Sequence, residues 1–221
     1  MPRHDTMTRG VQDELGRLYR PPAGRPELVD VPELLFVVVD GEGDPNTAPA
    51  FQAAIQSLYA ISYGLKFASK HSGGPDWHVN PLEGLWWVEG QGEAEPPPVA
   101  DGDPAGWMRE RSGWRWRAMI RQPDQVTPAM VAQALDAARA KRPLEAAHLV
   151  RLERFHEGLS AQVMHIGPYA AEEHTIERLH AFIAEMGLVP AGRHHEIYLG
   201  DPRRSAPERL RTVIRQPVRA V

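Results

Sequence analysis

Along residues 172–186 the apolar side chains Ile176, Leu179, Ile183 and Met186 recur at spacings of three and four, which places them on one buried stripe of a helix. Gly187 stands where such a helix stops, because glycine enters the left-handed conformation of a C-terminal cap without steric cost. Upstream, residues 151–155 and 161–166 read as two short strands around the turn-forming His156-Glu157-Gly158, and Gly167-Pro168-Tyr169 stops the second. Downstream, residues 194–199 read as a strand, Asp201-Pro202 turns the chain, and residues 210–216 give a further strand ended by Pro217.

The first half follows the same plan. Residues 34–39 are a continuous apolar run with three valines, the pattern of a strand covered on both faces. The turn-rich residues 40–45 come next, and Asn46 or Thr47 is placed to cap a helix with the inward stripe Phe51, Ile55, Leu58, Ser62 and Leu65. Residues 82–88 and 114–121 then read as strands, the second ended by Pro123. Both halves close on nearly the same five residues, Met119-Ile-Arg-Gln-Pro123 and Val213-Ile-Arg-Gln-Pro217. The expectation is an α+β fold made by internal duplication: two fused strand–helix–strand–strand modules related by pseudo-twofold symmetry around a central cleft. Repeat 1 covers about 28–123 and repeat 2 about 149–218, within a single domain over 1–221. Thr127-Pro128 starts an alanine-rich connecting helix over about 127–141. The proline- and glycine-rich residues 91–106 read as a long loop.

Composition narrows the function. A formal charge of −4 and a pI near 6.2 argue against a direct nucleic-acid binder, which needs a basic face to displace counterions. The absence of cysteine excludes disulfides, thiolate metal sites and a cysteine nucleophile, and is compatible with a reducing compartment. No run approaches the roughly 18 apolar residues of a membrane span, and residues 1–20 lack the apolar core of a secretion signal. The expected location is the cytoplasm.

A cleft between two packed modules is a default ligand site. Alternation along 82–88 puts Glu83, Leu85 and Trp87 on one face and Trp86 on the other, while Glu196 and Tyr198 share a face of the strand over 194–199. Each strand therefore carries a carboxylate in apolar surroundings, where burial separates pKa values and can yield one acid and one base. A partly exposed carboxylate or a hidden ion pair with an arginine would explain either one equally simply. All six tryptophans lie between Trp77 and Trp116, and flat aromatic walls suit planar or cationic ligands. Trp86 and Trp87 cannot both bury on one side of a sheet, so one of them faces the cleft or another layer. His194 and His195 point to opposite faces and cannot chelate one ion, and His165 and His174 lack a ligand spacing, so no metal and no cofactor are expected.

The segments His165-Ile-Gly-Pro-Tyr169, Glu196-Ile-Tyr-Leu-Gly-Asp-Pro202 and Thr212-Val-Ile-Arg-Gln-Pro217 resemble the GyrI-like (gyrase-inhibitory-protein-like) small-molecule-binding family. Val39-Asp-Gly-Glu-Gly-Asp-Pro45 and Pro81-Leu-Glu-Gly-Leu-Trp-Trp87 resemble its stand-alone bacterial branch, and the likeness runs from about Leu28 to Pro217. The resemblance implies a detoxifying hydrolase that opens cyclopropane-bearing, DNA-alkylating natural products with water. Glu196, Glu83 and Tyr198 would be its catalytic groups, with either glutamate as the base. Trp86, Trp87, Trp77, Tyr63, His165 and Tyr169 would contact an aromatic small molecule. A non-catalytic binder or sensor, and a module that inhibits a protein partner, are the alternatives.

Overall fold

In the computed structural model, residues 15–92, 95–96, 98, 103–109 and 113–221 are described. In chain order the main elements are β1 (Glu27–Glu42), α1 (Pro49–His71), β2 (Leu82–Val88), β3 (Trp114–Gln122), α2 (Pro128–Lys141), β4 (Arg151–Ile166), α3 (Glu173–Glu185), β5 (Leu188–Pro190), β6 (His194–Tyr198) and β7 (Arg211–Ala220). The strands are ordered β4-β1-β3-β2-β6-β7-β5, and β4 also pairs with β7. Six strands thus close into an antiparallel barrel-like sheet, and β5 extends the far end of β7. The order strand, helix, strand, strand occurs in each half, as β1-α1-β2-β3 and as β4-α3-β6-β7 with the short β5 ahead of β6. The halves meet along two seams, β1 with β4 and β2 with β6.

Several local details differ from the sequence expectation. β4 is one strand of 16 residues, not two around a turn. Gly158 takes φ +71, yet it stands directly opposite Val31 and the register with β1 is unbroken on either side. The glycine stands two residues before β4 takes on β7 as a second partner at Ser160, while its pairing with β1 continues to Gln162. β7 does not end at Pro217 but runs to Ala220: Pro217 faces Ser160 on β4, and Val218 already pairs with Pro190 on β5. A proline fits at such a changeover of partners. The N-cap of α1 is Ala48, without a side-chain bond; Asp44 instead accepts from the Asn46 backbone N–H at 3.0 Å, and Pro49 supplies the helical φ of the first turn. Thr127 caps α2 as expected, its hydroxyl accepting from Met130 N–H at 3.3 Å. Part of 91–106 lies outside the described residues, while Trp107 just beyond it is buried in the core.

The closed sheet has two surfaces, and both are packed. On its outer face, Val37, Val39, Leu82, Trp86, Trp116 and Ile120 meet Phe51, Leu58, Ile61 and Leu65 of α1, so the helical stripe does face inward. Gly41 makes room for this layer, since a Cβ there would lie 2.2 Å from Trp116 Cη2. Ile176, Leu179 and Ile183 of α3 cover Ala161, Val163 and Ile214 in the same way, whereas Met186 stands exposed beyond the stripe. Inside the barrel lie Phe36, Val38, Leu85 and Met119, with Met164, Ile197 and Val213 beside them. Each fully buried aliphatic side chain contributes about 1.5–3 kcal/mol to folding. α1 and α3 leave between them the outer face of the β2–β6 seam, and the chemistry gathers there.

Candidate active site

In the β2–β6 ladder Gly84 faces Glu196, Trp86 faces His194 and Leu82 faces Tyr198. Directly opposed residues share a face, so Glu196, Tyr198, His194 and Trp86 all point outward, toward the helices. Gly84 is small for a reason: a Cβ there would lie 2.8 Å from Trp86 Nε1. Without one, the Trp86 indole reaches across and donates to the Tyr198 hydroxyl at 3.1 Å. Tyr198 donates in turn to Glu196 Oε2 at 2.6 Å, and His194 Nε2 lies 3.3 Å from Glu196 Oε1. Burial and the neighbouring Glu196 charge push the Tyr198 phenol well above its ordinary pKa, so it remains a donor.

A second carboxylate joins this cluster from α3. Glu172, the N-cap residue, is 2 % exposed and lies beside the buried Thr212 hydroxyl. Burial, reinforced by the Glu196 charge, raises its pKa well above the carboxylate range, against a downward pull from Thr212. It lies next to Glu196, which already holds two hydrogen bonds. Two acids in one apolar recess with divided roles are what acid–base chemistry needs.

Aromatic rings surround the cluster. Trp107 meets His194 edge to face at 5.5 Å, Trp114 stands between Trp107 and Trp86, and Phe51 lies 5.5 Å from Trp86. Tyr169 packs edge to face on Tyr198 at 5.6 Å, and burial with the charges of Glu172 and Glu196 lifts its pKa to about 12. His165 is held between Thr175 Oγ1 at 2.9 Å and the Pro168 carbonyl at 3.3 Å; burial lowers its pKa, against the pull of Glu196. His180 of α3 is lowered to about 4 by burial and by His194, so it is a neutral imidazole.

Of the residues named from the sequence, Glu196, Tyr198, Trp86, His165 and Tyr169 come together here. Glu83 does not. It faces the barrel interior, opposite Ile197, and accepts from Tyr19 Oη at 2.8 Å. His195 Nε2 lies 3.1 Å from Glu83 and its Nδ1 2.9 Å from Glu157, while Arg215 donates to Glu157 at 2.9 Å and to Gln162. With a carboxylate at each nitrogen, His195 is an imidazolium: burial opposes its charge, but Glu157 and Glu83 raise its pKa to about 9. Burial likewise opposes Glu157, yet His195 and Arg215 hold it at about 2. Trp87 also takes the inner side, with the Arg193 guanidinium 3.6 Å over its ring. Trp77 packs on the outer core, and Tyr63 is 47 % exposed on α1, stacked between Tyr59 and Phe67. Glu172, Thr212 and Trp107, which are not among the site residues expected from the sequence, join the cluster, as does His194, which the sequence raises only as a metal ligand. A signal for Glu172 existed, since it lies four residues before Ile176 and so continues the buried stripe of α3.

Among the described residues no group of three or more metal-ligating side chains is assembled, and no helix is long and apolar enough to cross a membrane.

Residues 119–219 match the GyrI-like small molecule binding domain. No curated protein matches the chain. A conserved protein from Listeria innocua shares 39% identity and a TM-score of 0.81, over 94% of this chain and 98% of that one. A hydrolase from the same organism shares 38% identity and a TM-score of 0.77 over the same proportions. The EcmrR C-terminal domain, at 12% identity and a TM-score of 0.52 over 89% of this chain and 98% of that domain, shares the fold alone. The chain belongs to the GyrI-like family of small-molecule-binding domains.

Proposed function

We propose that the chain is a hydrolase that binds flat, hydrophobic aromatic compounds in the recess between α1 and α3 and opens a strained cyclopropane ring with water. One observation carries this reading: two buried carboxyl groups lie in one cluster, Glu196 held by Tyr198 and His194 and Glu172 with its pKa raised by burial and the Glu196 charge. Glu196, oriented by Tyr198 and His194, takes a proton from water. The water oxygen bonds to a cyclopropane carbon as the ring C–C bond breaks. The released electron pair passes through a conjugated dienone to its carbonyl oxygen, which becomes a phenolate. Glu172, whose pKa burial and the Glu196 charge raise, donates its proton to that oxygen. The net change is addition of one water, and aromatisation drives it. The proton on Glu196 returns to Glu172 through solvent after release. Trp86, Trp107 and Tyr169 supply apolar walls for a planar ligand. The hydrolase among the similar Listeria proteins supports the class of reaction. The same reading takes the two strand–helix–strand–strand halves as products of a duplication in which only the second half kept the acidic recess.

The test is to incubate the protein with a cyclopropane-fused dienone and follow the absorbance of the ring-opened phenol. Glu196→Gln keeps volume and removes the base, so turnover falls roughly 10²–10⁴-fold with the fold intact. Binding without turnover by the unaltered protein would reduce it to a sensor or sequestering protein. Unchanged turnover per folded molecule in Glu196→Gln would remove this residue from the mechanism.

A further inference from the structure

The repeated Ile-Arg-Gln-Pro motif puts one arginine in each half on the inner side of the sheet, and the two have different surroundings. Arg215 is buried and fully engaged by Glu157, Gln162 and the Leu18 carbonyl. Arg121 has no acid. Its guanidinium lies 5.5 Å over the Tyr19 ring, one Nη donates to Asn80 Oδ1 at 3.2 Å, and its buried Nε makes no hydrogen bond. The Asn80 amide returns a bond to the Arg121 carbonyl at 2.9 Å, which fixes the side chain's base. Arg121 borders a cavity of about 670 Å³ at the end of the barrel, away from the Glu196 recess. Arg20 and Arg211 stand at its rim, both exposed. No aspartate or glutamate lines it, and none of the three arginines forms a salt bridge among the described residues. Glu83, the nearby acid beneath Tyr19, is already taken by Tyr19 and His195. The rest of the wall is apolar: Tyr19, Met164, Ile166 and Leu199.

We propose that this cavity is a second ligand site, for an amphipathic organic anion with a flat apolar body and a sulfonate, phosphate or carboxylate head. The head takes the guanidinium end of Arg121 and the forks of Arg20 and Arg211, and the body lies on Tyr19 and Met164. Bidentate guanidinium contacts favour planar and tetrahedral oxyanions. A site of this kind sits on the face opposite the acidic recess, whose own charge would repel the same ligand.

The probe pair is 8-anilinonaphthalene-1-sulfonate and its neutral analogue N-phenyl-1-naphthylamine, titrated by fluorescence against the full chain. The sulfonate is expected to saturate one site and to bind at least about tenfold more tightly than the neutral dye. Arg121→Gln combined with Arg211→Gln should weaken the sulfonate about 10- to 100-fold and leave the neutral dye unchanged. Arg20→Gln with Arg211→Gln alters only exposed side chains, so it keeps the fold and should still weaken the sulfonate and flatten its salt dependence. Equal binding of the two dyes, or unchanged sulfonate affinity in the rim variant, would overturn the proposal. Neither outcome depends on turnover, so the fate of the hydrolase reading does not decide it.

Discussion

The two faces of the β2–β6 seam bury similar groups and treat them in opposite ways. On the inner face two acids, Glu83 and Glu157, meet two cations, His195 and Arg215, and every charged group finds a partner. On the outer face Glu196 and Glu172 share a cluster with Tyr198, His194 and Trp86, in which no lysine or arginine bonds either acid among the described residues. Both clusters are almost dry, so burial cannot distinguish them. Balance can. A closed set of opposite charges has little left to offer a ligand, and its worth lies in holding strands together. An unbalanced set raises the pKa of one carboxyl and readies it to give up its proton.

The largest break in that comparison should come from Glu172. Glu172→Leu removes the acid and leaves an apolar side chain in an apolar site, so folding should be maintained or improved while turnover drops roughly 10²–10⁴-fold. Glu172→Gln retains a hydrogen-bond donor but no transferable proton, and should lie between. Rate measurements on folded-fraction-corrected protein check the order. Equal rates for all three proteins would return Glu172 to a purely structural place.

Arg215→Met should reverse the pattern. It strands Glu157 and an imidazolium inside the barrel, and breaking a buried pair in this way costs about 3–5 kcal/mol. Denaturant unfolding should show that loss, with turnover per folded molecule unchanged. A fall in intrinsic turnover as large as the stability loss would join the inner cluster to the chemistry.

Much of this was legible in local pattern. The alternation in Glu-Ile-Tyr put Glu196 and Tyr198 on one face, and the doublet Trp86-Trp87 divides between the two sides as alternation requires. Grouping Glu83 with Glu196 failed for a nonlocal reason. Each strand's alternation was sound, but which faces coincide depends on the register between β2 and β6, and Gly84, not Glu83, stands opposite Glu196. Glu172 was hidden by its setting, since an acid at a helix start is ordinarily explained by the helix dipole. Tyr63 lies in an i, i+4 series with Tyr59 and Phe67 that resembles a buried stripe, yet the side of α1 that packs is the one with Leu58, Ile61 and Leu65. His156-Glu157-Gly158 looks like a turn, although the long ladder with β1 keeps it extended and sends Glu157 inward.

The pH dependence of stability should separate the faces more finely. Glu157 is depressed from 4.5 to about 2, so its contribution is present above pH 4.5 and is lost as pH falls through 2. His195 is raised from 6.5 to about 9, so its contribution is complete below pH 6.5 and is lost as pH rises through 9. Glu172 is raised from 4.5, which makes its contribution complete below pH 4.5 and declining above it. Melting temperature should therefore begin to decline above pH 4.5 and do so more steeply above 6.5. Glu172→Gln should erase the first decline and His195→Gln the second. A His195→Gln profile that still steepens above pH 6.5 would place the titrating group elsewhere.

The smallest effect expected falls on two adjacent tryptophans. Trp86→Phe keeps an aromatic ring over Gly84 but loses the N–H that donates to Tyr198 at 3.1 Å. Tyr198 then orients Glu196 with one restraint fewer, and a single hydrogen bond of this kind is worth about 1 kcal/mol, roughly a fivefold change in rate. Because the lost N–H acts through Tyr198 and not on the reacting atoms, while the phenyl ring still serves as an apolar wall, the loss should appear in kcat more than in KM. Trp87→Phe changes the same residue type one position along, on the face where Arg193 covers the ring, and should leave both constants unaltered. Steady-state kinetics on the pair decide between the faces: similar losses in both would mean that the tryptophans support the sheet in general, and a loss confined to Trp86→Phe would assign the relay from indole to phenol to carboxylate to the outer recess alone.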